Sequence, residues 1–245
     1  MQIKDKYYFA SDVHLGLPVN DPQKREQHFV AWLDRAAQDA KAIFLLGDIF
    51  DFWCEYKKVV PKGFVRTLGK LAELTDRGVE IHFFPGNHDL WTFGYFADEL
   101  GLQVHHRPLE INLNGKMFYL AHGDNVGKMD SGYRFLRSIF SSPLFQKCFS
   151  AIHPRWGVAF AHRWSRRSRL SNGLPFPFQQ EKEQVYQFAQ AYSKEHAIDY
   201  FIFGHRHTPV SLPVNEHSRL VILGEWIQGC EYAVFENGEL KLTNN

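Results

Sequence analysis

Five short clusters in this sequence gather side chains that ligate metals and move protons: Ser11-Asp12-Val13-His14, Gly47-Asp48-Ile49-Phe50-Asp51, Phe84-Pro85-Gly86-Asn87-His88-Asp89, Ala121-His122-Gly123-Asp124 and Gly204-His205-Arg206-His207. Asp12, His14, Asp48, Asn87, His122, His205 and His207 offer carboxylates, a carboxamide and imidazoles. This mixed oxygen and nitrogen set suits Mn2+, Fe or Zn better than Mg2+ or Ca2+. It is too large for one tetrahedral zinc but fits two divalent ions sharing a carboxylate, for which Asp48 is the natural bridge. In Asp12-x-His14 and His205-x-His207, an extended backbone would point both members of a pair the same way, toward one ion. The adjoining glycines let the chain turn sharply beside the cluster. Any one of these clusters occurs in ordinary turns. Five in series would leave buried, uncompensated carboxylates unless metal is present.

Each cluster leaves an apolar run that reads as a strand, so convergence at one sheet edge is expected. Residues 7–10 form the first run, and Pro22 then opens a helix with Phe29, Trp32, Leu33 and Ala36 at helical spacing. Residues 42–46 do not alternate, which implies a strand covered on both faces. A helix through Phe64, Leu68, Leu71 and Leu74 stops at Gly78, a third strand spans 79–84, and a short helix is expected over 91–100. This order implies parallel strands with right-handed crossovers. From Leu109 the sequence alternates and turns at Asn114-Gly115, a hairpin whose return strand, 117–121, delivers His122. A strand over 199–203 delivers His205 and His207, and residues 219–223 and 232–242 read as a terminal β meander. The whole suits two sheets packed face to face with helices outside.

Between about 130 and 180 the chain has no strand character. It is rich in aromatic and aliphatic residues, including Phe135, Phe140, Phe145, Phe149, Trp156 and Phe160, and then carries Arg163, Arg166, Arg167 and Arg169. Two readings stand: a helical pair that buries its own aromatics, or a lid that is apolar on one side and cationic where an anionic substrate lies.

With 245 residues, one domain buries a sufficient core, and the net charge of +1, from 28 Lys and Arg against 27 Asp and Glu, argues against a phosphate-tracking nucleic-acid surface. Cys54, Cys148 and Cys230 lack metal or redox spacing and read as buried free thiols. No signal segment or membrane-length apolar run is evident, which places the chain in the cytoplasm or at the periphery of a membrane.

The ordered series Asp12-x-His14, Gly47-Asp48-x-x-Asp51, Gly86-Asn87-His88-Asp89, His122-Gly123-Asp124 and Gly204-His205-x-His207 resembles the calcineurin-like metallophosphoesterases over nearly the whole chain. The resemblance implies an α/β fold, a four-layer α/β/β/α sandwich, as a single domain over 1–245 with a helical cap inserted at about 130–180. It implies that Asp12, His14, Asp48 and His207 hold one metal and Asp48, Asn87, His122 and His205 the other, with Mn2+ favoured and Fe or Zn as alternatives. His88 would protonate the leaving oxygen and Asp51 would orient it. That division agrees with the chemistry, since a carboxylate beside an imidazole keeps it charged and oriented.

Within that family, Gly47-Asp48-Ile49-Phe50-Asp51-Phe52-Trp53, Asp130-Ser131-Gly132-Tyr133, the insertion and Leu223-Gly224-Glu225-Trp226 resemble the UDP-2,3-diacylglucosamine pyrophosphatases of lipid A synthesis. The implied reaction cuts a UDP-linked acylated sugar at its pyrophosphate, giving UMP and 2,3-diacylglucosamine 1-phosphate. The cap would receive the acyl chains, burying methylenes at roughly 0.8 kcal/mol each. Arg163, Arg166, Arg167 and Arg169 would pair with phosphate, with Asp130 on the sugar side and Asn87 also near substrate. The implied setting is the cytoplasmic face of the inner membrane, with no protein or nucleic-acid partner. Two departures stand out: members of that group carry Arg where this chain has His88, and a Ser/Asn/Lys-rich stretch where it has HRWSRRSRLSNG. A metallophosphodiesterase or phosphatase acting on another nucleotide or phospholipid is the alternative enzyme, and a retained binding scaffold the non-enzymatic one.

Overall fold

The computed structural model describes residues 4–127, 131–157, 159, 163 and 178–244. Strand β1 (Lys6–Ala10) puts Tyr7 and Phe9 on one face and Tyr8 and Ala10 on the other, and both faces are buried. Helix α1 (Pro22–Ala36) starts where the Asp21 side chain accepts the Lys24 N–H at 3.0 Å, with Pro22 opening the first turn. Its inner face is Phe29, Trp32, Leu33 and Ala36, an i, i+3, i+4, i+7 stripe. Strand β2 (Ala40–Leu45), helix α2 (Val65–Asp76) and strand β3 (Glu80–Phe83) complete two crossovers, and β1, β2 and β3 pair in parallel as expected.

The predicted helix over 91–100 shrinks to α3 (Tyr95–Asp98). Trp91 is instead held by a parallel bridge to Cys54, and the buried Glu55 carboxylate captures the Phe93 and Tyr95 N–H groups, so the backbone donors of that stretch are satisfied without a helix. Strand β4 (Gln103–Val104) then pairs with β3. The hairpin of β5 (Leu109–Leu113) and β6 (Lys116–Leu120) turns at Asn114 and Gly115, with φ values of 47° and 85°, the left-handed pair a two-residue hairpin turn requires.

Helices α4 (Ser131–Phe140) and α5 (Pro143–Ser150) lie in the cap interval. Their Phe140, Phe145 and Phe149 pack on Trp91, Cys54 and Phe52 of the body. Of the two readings of this segment, these helices therefore follow neither in full, because Phe140, Phe145 and Phe149 are anchored on the body while Phe135 is exposed. After helix α6 (Gln184–Tyr192), strands β7 (Tyr200–Phe203), β8 (Val210–Pro213) and β9 (Arg219–Ile222) join β5 and β6 in the order β5-β6-β7-β9-β8. Strands β10 (Glu231–Glu236) and β11 (Glu239–Asn244) return to the first sheet, ordered β11-β10-β1-β2-β3-β4. The predicted terminal meander is therefore split: β9 belongs to one sheet and the β10–β11 hairpin to the other.

Three apolar layers define the stack. One fills the space between α1, α2 and α3 and the first sheet; a second, with Phe9, Phe44, Phe118 and Phe235, lies between the sheets; a third, with Tyr186 and Ala189 of α6, covers the second sheet. This is the α/β/β/α sandwich. Trp53 is fully buried against Phe50 and Phe96, whereas Trp156 is 67% exposed. Cys54 is buried, but Cys148 is exposed, contrary to the expectation of three buried thiols. Among the described residues no helix is long and apolar enough to cross a membrane.

Candidate metal centre

All five clusters follow the C-terminal ends of strands: Asp12 after β1, Asp48 after β2, Asn87 after β3, His122 after β6, and His205 with His207 after β7. Backbone hydrogen bonds lace these loops together. Asp12 N–H donates to Gly47 O at 3.0 Å and His14 N–H to Asp48 O at 3.0 Å, while Gly204 N–H donates to His122 O at 2.8 Å. The two sheets are joined at the site itself, where His205 N–H donates to Asp12 Oδ2 at 2.9 Å.

The side chains form two principal groups. Asp12, His14 and His207 offer ligand atoms within 4.8 Å of one another, and so do Asp48, His122 and His205. His14 Nε2 and His207 Nε2 are 3.1 Å apart, and His207 Nε2 is 3.1 Å from Asp12 Oδ1. Asp48 Oδ2 sits between the groups, 3.4 Å from His122 Nε2 and 3.9 Å from His14 Nε2. Asn87 Oδ1 is 3.4 Å from His122 Nε2.

The backbone that achieves this is not extended. Asp12, His14, Asp48, His205 and His207 have φ values of 54°, 48°, 53°, 67° and 52°, so the extended geometry expected of the two pairs is absent, although Asp12 and His14 still share one group. His205 and His207 consequently serve different groups. Left-handed backbone at non-glycine residues costs free energy and concentrates at sites where the surroundings hold it in place. Here part of that hold comes from buried Arg25, whose Nη1 donates to His14 O at 2.7 Å.

Three glycines make room for the donors. A Cβ on Gly86 would lie 2.2 Å from Asp48 Oδ1, one on Gly204 2.5 Å from Asp12 Oδ2, and one on Gly47 2.5 Å from His122 Nδ1. Imidazole orientation is set from behind. His122 Nδ1 donates to Leu46 O at 2.8 Å, which leaves Nε2 free to ligate. His14 Nδ1 faces Asp51 Oδ1 at 3.4 Å. His88 Nδ1 donates to the Asp51 backbone carbonyl at 2.8 Å, while the Asp51 carboxylate is 3.8 Å away. Asp51 thus meets His88 chiefly through its main chain and offers its carboxylate to His14.

The electrostatics suit cations. Burial opposes ionisation of Asp48, yet His122, His88 and His14 hold its carboxyl well below the usual range. Burial also opposes protonation of His122, but Asp48 and Asp12 lift it to about 9, whereas burial and the His122 charge push His205 down to about 3. Positive charge is what this pocket of carboxylates requires, and divalent ions supply it more strongly than imidazolium. The converging donors, the glycine cradles and the hard oxygen and imidazole chemistry all fit a pair of divalent ions.

Two carboxylates of the motifs act on loops. Buried Asp89 accepts the N–H groups of Gly86 at 2.7 Å and Ile49 at 2.8 Å, tying two ligand loops together. Burial and the Asp48 charge raise it to about 7. Asp124 accepts the Tyr133 hydroxyl at 3.0 Å and pairs with Arg137. Sequence reasoning gave Asp89, Asp124 and Arg25 no such duty; the short spacing of the first two to ligands was the available signal. Of the expected substrate contacts, Arg163 is exposed, and Asp130, Arg166, Arg167 and Arg169 lie outside the described residues. Two adjoining grooves of about 690 and 670 Å3 run beneath α4 and α5, sharing Phe93, Gly94 and Gln146. Their lining mixes Val59, Val60 and Tyr95 with Lys57, Lys58 and Lys147, so it is not uniformly apolar.

The calcineurin-like phosphoesterase family profile matches residues 6–209, and the chain belongs to that family. It is accordingly a metal-dependent hydrolase that uses divalent ions. Among individual proteins, it is similar to the UDP-2,3-diacylglucosamine hydrolase of Porphyromonas gingivalis, 42% identical over 255 residues that cover 98% of this chain and 97% of that protein. Proteins of the same name from Stenotrophomonas maltophilia and Nitrosococcus oceani are 30% and 29% identical, covering 94% and 91% of this chain and 95% and 88% of their own lengths.

Proposed function

We propose that this chain hydrolyses the pyrophosphate bond of UDP-2,3-diacylglucosamine, giving UMP and 2,3-diacylglucosamine 1-phosphate. The observation that carries the chemistry is the Asp48 carboxylate standing between two histidine-containing groups, 3.4 Å from His122 and 3.9 Å from His14. The choice of substrate rests on the relative 42% identical over nearly the whole length. In this reading Asp12, His14, Asp48 and His207 hold one ion and Asp48, Asn87, His122 and His205 the other, with Mn2+ the proposed metal, or Fe or Zn. When bound, two such ions make water a competent nucleophile near neutral pH and offset charge on the phosphoryl oxygens.

The remaining work belongs to side chains. His88 packs edge-on against His14 with ring centroids 4.9 Å apart, which puts it beside the centre. With Nδ1 fixed on Asp51 O, its Nε2 carries the proton to the leaving phosphate oxygen as the P–O bond breaks. Asp51 positions two imidazoles, His88 by its carbonyl and His14 by its carboxylate. Asn87 also contacts substrate, and Arg163, Arg166, Arg167 and Arg169 with Asp130 bind its phosphates and sugar from a cap inserted at about 130–180 in a single domain. Phe135, Leu144 and Trp156, exposed by 68%, 72% and 67% on that cap, support peripheral contact with the cytoplasmic face of the inner membrane.

The test is turnover with Mn2+ of UDP-2,3-diacylglucosamine, with products identified by mass spectrometry, against simple nucleotide diesters. Release of UMP from the acylated sugar nucleotide is expected. Turnover of the simple diesters alone would move the assignment to a soluble phosphodiester, a reading that the lysines lining the groove favour.

A further inference from the structure

Helix α4 is tied to loops from both sheets. At one end Trp91 Nε1–H, in the stretch after Asn87 and His88, donates to Phe140 O at 2.9 Å. Nearer the other end, Tyr133 and Arg137, four residues apart and so on one face, both reach Asp124 Oδ2. Asp124 is two residues beyond His122, and its side chain is 1% exposed. The helix therefore bridges one ligand loop from each sheet. Arg137 also borders both the groove beneath α4 and a small cavity lined by His122, Asn125 and His106.

An ion pair with one buried member contributes little net stability against an apolar replacement, but the buried Asp124 carboxylate has few alternative partners for its charge. We propose that Arg137 is a positioning residue: its pair with Asp124, backed by the Tyr133 hydroxyl, latches cap helix α4 to the His122 loop. The latch sets the height of the cap over the ions, and with it the alignment of an acylated substrate that touches both. The inference rests on the acylated-substrate reading given above. It does not require Arg137 to meet phosphate.

Arg137→Met is compared with the parent chain on UDP-2,3-diacylglucosamine and on bis(4-nitrophenyl) phosphate, a diester too small to need the cap. Metal content and amide exchange of α4 are followed in parallel. The expected result is a loss of about 100-fold in kcat/KM on the acylated substrate, the scale of an ångström's misplacement. The small diester is turned over at the parent rate, metal content is unchanged and exchange across α4 is faster. Equal losses on both diesters would put Arg137 at the phosphate, and loss of metal would make the pair a support of His122; either overturns the proposal, as does unchanged exchange. Because Arg137→Met leaves Asp124 buried and unpaired by arginine, Asp124→Asn with Arg137→Met is the second variant. It should reproduce the split between substrates, and parental kinetics in it would overturn the latch. Should the parent chain fail on UDP-2,3-diacylglucosamine, the substrate reading falls, and the exchange of α4 alone decides the latch.

Discussion

Gly86→Ala isolates the role of space at the metal centre. Gly86 does not have a positive φ, so alanine brings no conformational penalty there and its effect is steric. The new methyl would lie 2.2 Å from Asp48 Oδ1 where ordinary contact begins at 3.4 Å, so the carboxylate must retreat by about 1.2 Å. Retreat of the carboxylate is not enough on its own, because Asp48 N is only 2.6 Å from the same point and the loop backbone must move as well. Retreat breaks the 2.8 Å bond that Asp48 Oδ1 accepts from His88 N–H. A charge-assisted bond of that kind contributes about 1.5–3 kcal/mol, and overpacking costs about 1–3 kcal/mol, together about 2.5–6 kcal/mol. Against a typical stability of about 5–15 kcal/mol this is a large share of the margin, and in the chain that remains folded the bridging ligand is displaced, where a 1 Å displacement costs about 100-fold in rate. Urea unfolding, metal content by mass spectrometry and turnover of UDP-2,3-diacylglucosamine read the three consequences. A Gly86→Ala chain with two bound ions and parental turnover would refute the cradle and the bridging place of Asp48.

The contrasting substitution is Gly69→Ala: Gly69 is an exposed residue inside α2 with nothing within 4 Å of its added Cβ, so about 0.5–1 kcal/mol of stabilisation and unchanged turnover are expected on chemical unfolding and assay. His88→Ala should keep both ions while turnover falls by about 100-fold to 10,000-fold, whereas Asp48→Ala should lose metal; equal metal loss in both would refute the division of roles. Part of the acid sensitivity should trace to His82, which stacks on Phe44 with centroids 4.4 Å apart and is pushed by burial to about 4. The unfolded chain takes up that proton near pH 6.5, so the contribution is intact above 6.5 and is lost as the pH falls toward 4. Urea unfolding of His82→Phe across that range should therefore be flatter than that of the parent, and parallel curves would count against the assignment.

The parallel half of the fold was legible because its strands are covered on both faces and read as unbroken apolar runs ending in glycine and a ligand. Strand β8 was not, being a short edge strand that ends in Pro213, and α6 went unread although Val185, Tyr186 and Ala189 form its buried stripe. Sheet membership of β9 and of the β10–β11 hairpin could not be read either, since Val221 and Phe235 face the same inter-sheet layer from opposite sides. At the site, ligand types and order survive in the sequence because chemistry dictates them. The left-handed backbone of Asp12, His14 and His207 does not, because Asp and His visit that region more than most residues yet adopt ordinary backbone far more often, and nothing in the adjoining sequence chooses between the two. Asp124 and Glu55 were silent for a related reason: a carboxylate's N–H, hydroxyl or arginine partners are set by the fold.

The division of donors between the sheets also times the loading of the ions. Asp12, Asp48 and Asn87 emerge from the ribosome early, but the two groups that share the Asp48 region are closed by late histidines, His207 beside Asp12 and His14 and His205 beside Asp48 and His122. A nascent chain halted before those positions leaves both of these groups one imidazole short, so the paired centre is complete only once the second sheet has delivered its histidines.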